Sequence, residues 1–64
     1  MAPSTPIVDA LLALCKAKIL TSDDADDCAL LSGVRTYGDL LTVLERGDIA
    51  DAGLAHRLRG AVGV

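Results

Sequence analysis

Residues 21–41, TSDDADDCALLSGVRTYGDLL, contain two helix starts with a helix stop between them, and that spacing decides for a fold of short helices. Thr21 or Ser22 stands where a cap accepts a hydrogen bond from the free N–H groups of a first turn. Asp24, three residues after Thr21, is placed to reach back in a capping box. Asp23, Asp24, Asp26 and Asp27 then crowd the first turns, where the positive end of the helix dipole favours each by about 0.3–1 kcal/mol, less their mutual repulsion. This helix is expected over 23–32, stopped by Gly33 in the left-handed conformation that ends many helices. Thr36 and Asp39 repeat the cap. The helix they open, over 37–46, turns Tyr37, Leu40, Leu41, Val43 and Leu44 inward and leaves Thr42, Glu45 and Arg46 in water. Gly38 costs it about 1 kcal/mol relative to alanine if fully helical.

Upstream, residues 1–5 form an unpatterned lead, with Thr5 and Pro6 as cap and first helical position. A helix over 6–20 follows. Ile7, Val8, Leu11, Leu12, Leu14, Cys15 and Ile19 fill one broad apolar arc, with Asp9 and Lys16 opposite and Ala10, Ala13 and Ala17 as a smooth flank. Lys18 intrudes into the arc and must snorkel out or lie at its edge. Downstream, Gly47 ends the third helix, and Asp48 caps a short one over 49–52. After Gly53 comes a last helix over 54–62, with Leu54, Leu58, Ala61 and Val62 inward and His56, Arg57 and Arg59 facing away. Strand alternation is absent, so residues 6–64 read as one all-α domain, a compact orthogonal bundle of four to five short helices.

A domain of 64 residues buries only about 60% of the surface its unfolded chain exposes. Its apolar share is built from Leu, Ala, Val and Ile, with Tyr37 the only aromatic residue, so the core is light. Cys15 and Cys28 allow one disulfide. MAPSTP carries no basic residue ahead of the apolar run, unlike a secretory leader, so reduced thiols packed as small hydrophobes in a complete cytoplasmic protein are expected. No apolar run approaches the ~20 residues that span a bilayer. The net charge of −3 makes nucleic acid an unfavourable partner.

Chemistry-bearing residues are sparse. His56 is the single histidine and Cys15 sits on the apolar arc, where a thiol is inert, so no catalysis and no cofactor are expected. DDADD lacks the spacing of a calcium loop, and no zinc cluster, phosphate loop or aromatic platform is present. His56, Arg57 and Arg59 either complement the negative end of the last helix or hold an anion. The wide arc of the first helix instead suggests surplus apolar surface. Leu11, Leu14 and Ile19, with the acidic corner Asp23, Asp24, Asp26 and Asp27, are the expected contact residues for a partner with a basic and apolar surface, or for a second copy of the chain.

Residues 28–55, CALLSGVRTYGDLLTVLERGDIADAGLA, resemble the C-terminal domain of the bacterial RNA polymerase alpha subunit and the wider helix-hairpin-helix or SAM-like group. The parallel elements are a helix ending before the isolated Val34, the Tyr37-Gly38-Asp39-Leu40 helix start, and a second hairpin at Gly53-Leu54. The resemblance implies DNA binding, and the chain departs from it at the implied contacts. Asp24 and Asp27 hold places where the family has an arginine and an asparagine, and Ala55 replaces a glycine of the phosphate-binding turn. Arg57 stands where the family has lysine. Beyond Ala55 the apolar register slips, with Leu58 at a polar place and Arg59 at an apolar one. Three readings therefore open: a protein-interaction module or regulator, an inhibitor that mimics nucleic acid in a basic groove, and a helix-hairpin-helix DNA binder.

Overall fold

In the computed structural model, which describes residues 1–64, the chain forms four helices and no strand: α1 (Ile7–Lys16), α2 (Ser22–Ala29), α3 (Tyr37–Arg46) and α4 (Ala52–Val62). The all-α expectation is met at the lower helix count. α3 lies where its cap signals put it. The Thr36 hydroxyl accepts from the Asp39 N–H, and Asp39 Oδ2 accepts from the N–H groups of Thr36 and Arg35, a complete capping box. Gly47, at φ 73°, closes the helix in the left-handed conformation.

α1 stops four residues short of the expected end at Leu20. Lys18 takes the left-handed conformation at φ 60°, its N–H donating to the Cys15 carbonyl and the Ile19 N–H to the Leu14 carbonyl. That pair of bonds is the Schellman motif, here with lysine at the position glycine usually holds. The break exchanges two neighbours: Leu20 drops into the core and Ile19 turns out to solvent. A β-carbon in this conformation costs roughly 1–2 kcal/mol. Lys18→Gly is therefore expected to raise the free energy of unfolding by up to about 1 kcal/mol, the rest being offset by the greater backbone entropy of glycine. Urea unfolding of the two proteins checks it.

α2 ends at Ala29 rather than residue 32, leaving Gly33, at φ 80°, in the turn that follows. Its N-terminal box is half formed. The Thr21 hydroxyl accepts from the Asp24 N–H at 3.2 Å, but the Asp24 carboxylate points elsewhere. The expected helix over 49–52 does not form. Asp51, not Asp48, caps a single last helix by accepting from the Leu54 N–H, so Gly53 falls inside its first turn and Ile49 packs into the core from a loop.

The lead also has a structure. The Pro3 and Thr5 carbonyls accept from the N–H groups of Gly38 and Tyr37 at 2.9 and 2.8 Å, so the lead satisfies first-turn donors of α3 that no helix can satisfy internally. Gly38 permits the approach: a β-carbon there would lie 3.1 Å from both the Cβ and the carbonyl oxygen of Pro3.

The helices close a ring, α1 against α2 and α3, and α4 against α2 and α3. Leu40, Leu44, Leu58 and Cys28 are its fully buried centre. The accessible surface of 4045 Å² is close to the roughly 3,900 Å² expected for a folded monomer of this mass.

Candidate interaction surface

α1 and α2 run back from one another through the turn at Lys18, and an apolar groove of about 350 Å³ lies between them. Val8, Leu11, Leu12 and Cys15 line it from α1, at the spacing of one helical stripe. Ser22, Ala25, Asp26 and Ala29 line it from α2, and their small side chains are what leave the space open. The groove is a surface feature: Val8 and Leu12 are 63% and 54% exposed. Six arc residues on one ten-residue helix, Ile7, Val8, Leu11, Leu12, Leu14 and Cys15, form an arc wider than the stripe a single core contact needs, which is the sequence signal for surplus surface.

The α2 margin of this groove is acidic at Asp26, which lines it, with Asp23 next round the helix and Asp27 farther off. Asp23, Asp26 and Asp27 are all exposed, and α2 contains no basic residue. On the α1 margin Lys16 and Asp9 fall on neighbouring positions of the helical wheel and offset one another. The uncompensated charge is therefore on one side.

Asp24 does not belong to that margin. It is buried, and its Oδ2 accepts from Arg57 Nε at 2.8 Å, joining α2 to α4. This contact explains the unfinished capping box, since one carboxylate cannot turn toward both Thr21 and Arg57. The hydrogen bond holds the Arg57 guanidinium above its already high pKa; burial opposes this, and the charges of Asp24, Asp51 and Asp27 reinforce it. Gly53 is one helical turn before Arg57, and a β-carbon there would stand 3.2 Å from its guanidinium nitrogen.

The expected anion-binding trio is likewise dispersed. Arg57 is held by Asp24, Arg59 donates to the Leu44 carbonyl at 2.8 Å and so satisfies part of the C-terminal end of α3, and His56 is left exposed. A larger recess of about 490 Å³ between α3 and α4, lined by Leu41, Leu44, Glu45, Arg59 and Val64, has its only cation turned inward by that same bond.

Of the three leucine and isoleucine residues expected at a contact, Leu11 and Leu14 are core residues, while Ile19 is exposed beyond the end of α1. The correction has a geometric cause. The core takes the Ile7–Leu11–Leu14 edge of the broad arc, and Val8 and Leu12 are the edge left over. No three His, Cys, Asp or Glu side chains come together in a metal-binding arrangement.

Both cysteines are free thiols in different settings. Cys15 lines the groove, its Sγ–H directed at the Thr21 carbonyl. Cys28 is enclosed, and burial pushes its thiol up from 9.0 to about 11. Between those values the unfolded chain has released a proton that the folded one keeps. The stability this thiol contributes is whole below pH 9 and is lost as pH rises through about 11. The wild type is thus expected to lose stability more steeply over that range than Cys28→Ala, as read by urea unfolding at a series of pH values.

Comparison with known proteins adds no relative to this picture: no family model, curated protein or solved structure matches the chain.

Proposed function

We propose that this protein is a non-enzymatic interaction module, acting as a regulator by occupying a partner's surface through the α1–α2 face. The observation that carries the reading is the exposed apolar pair Val8 and Leu12 beside the one-sided acidic margin. Apolar area provides the driving force for association, and charge selects the partner and the orientation in which it docks. A standard interface takes about 800 Å² from each partner. That is roughly a fifth of this protein's 4045 Å², so the groove and its margins together suit a contact of ordinary or small size.

A second reading rests on the same carboxylates. Asp23, Asp26 and Asp27, exposed on a helix without cations, suit a mimic of nucleic-acid charge inside a basic enzyme groove, and competition by DNA or RNA for the partner distinguishes it. The helix-hairpin-helix DNA-binding reading draws the least support, because Arg57 and Arg59 are both engaged within the fold.

A photoreactive residue at position 12 is expected to capture a discrete protein partner in the cells that make this chain, and one at Glu45 is expected not to. Glu45 is exposed and shares no lining residue with the groove. Equal labelling from both positions, or none from position 12, would remove the proposed face.

A further inference from the structure

Resting on the reading of the α1–α2 face as the contact surface, we infer that its occupant is an amphipathic α-helix with basic residues along one flank. The lining decides the helix. Every residue facing the groove belongs to α1 or α2, whose backbone N–H and C=O groups are used in their own helical bonds, and there is no strand edge to offer a ladder. An extended peptide laid there would bury its backbone groups without partners, each at a cost comparable to a lost hydrogen bond. A helix brings its backbone already satisfied and presents only side chains.

Length follows from the stripe. Val8 to Cys15 is seven residue steps, or about 10 Å of helix rise, so the occupant needs two to three turns with apolar residues at i, i+3 or i+4, and i+7. The flank follows from charge. Asp26 borders the groove and Asp23 lies next to it round the helix on the exposed side, while Asp27 sits farther round, within the field of the Arg57 that pairs with Asp24. Lysine or arginine along one side of the incoming helix meets Asp26 and Asp23, and the other side faces the balanced Asp9 and Lys16. A second copy of the chain fits less well. Each copy carries a net charge of −3, so self-pairing brings further negative charge to a margin that already lacks cations.

The probe is a fluorescent designed peptide of roughly 18 residues, long enough to span the groove with a turn to spare at each end. It carries leucines at the stated spacing, lysines on one flank and alanines elsewhere. Three companions accompany it: one with glutamate for lysine, one with central prolines that forbid a helix, and one with the leucines redistributed around the helix. Fluorescence anisotropy is expected to show binding by the lysine helix alone, weakening as salt rises. Leu12→Asp is expected to reduce that binding at least about tenfold. The same peptide should protect Cys15 from maleimide, and the double variant Asp23→Lys, Asp26→Lys should prefer the glutamate helix.

Equal binding by the proline peptide would overturn the helical occupant, and equal binding by the glutamate helix would overturn the basic flank. Protection of Cys15 that instead rises with the protein's own concentration, with a doubled mass in light scattering, would assign the groove to a second copy. A cross-link from position 12 to a partner segment that is neither helical nor basic would overturn this inference while leaving the interaction module standing.

Discussion

Leu40→Ala is expected to remove about half of the chain's stability at 25 °C. Leu40 is completely buried at the centre of the helix ring, with Leu44, Leu58 and Cys28 as the other enclosed side chains. Truncating such a leucine removes its transfer free energy and leaves a cavity that neighbours fill only in part, a loss of about 2–5 kcal/mol. A chain of 64 residues has, at about 0.05–0.15 kcal/mol per residue, a total stability of roughly 3–10 kcal/mol. The loss therefore takes about half of the total at mid-range. The core has no Phe or Trp to redistribute, and both cysteines are free, so no bridge limits the unfolded chain. Circular dichroism with urea titration reads the outcome. A loss below about 1 kcal/mol would mean that the ring collapses readily around the vacancy.

The second large effect separates adjacent residues of α1. Leu11→Asp is expected to unfold the protein and Leu12→Asp to leave it folded but without its partner. Leu11 is 5% exposed, and a carboxylate forced among Ile7, Leu14 and the rest of the core has no cation to pair with. Leu12 stands in solvent, where a charge changes stability by no more than about 0.5 kcal/mol. With the photoreactive residue moved to Val8, the Leu12→Asp protein should lose at least about nine-tenths of the captured partner, a tenfold effect worth 1.4 kcal/mol. Unchanged capture by a folded Leu12→Asp protein would count against the α1–α2 face.

The resemblance of residues 28–55 to the helix-hairpin-helix group enters this picture only as a proposal about topology. Two of its implied DNA contacts serve the fold instead. Asp24 and Arg57 neutralise each other across the α2–α4 contact, and Arg59 closes the end of α3. Among the expected contact residues, Asp23, Asp26, Asp27 and Ile19 are exposed and Leu11, Leu14 and Asp24 are buried; Val8 and Leu12, which were not among them, supply the exposed apolar pair.

Local chemistry was sufficient for the helices. Thr21, Thr36 and Gly47 act on hydrogen bonds within a few residues, so their effect can be read without knowing the rest of the fold. The same holds for the apolar stripes that make the chain all-α. Local chemistry was not sufficient where two short-range solutions compete and a distant residue chooses. Asp24 could close its own capping box until Arg57, thirty-three positions away, claims its carboxylate. The apolar arc of α1 could turn any of several edges inward, and the ring of α2, α3 and α4 selects one, leaving Val8 and Leu12 exposed. Lys18 takes a left-handed turn that its β-carbon disfavours, because the turn places Leu20 in the core and the buried area outweighs the local strain.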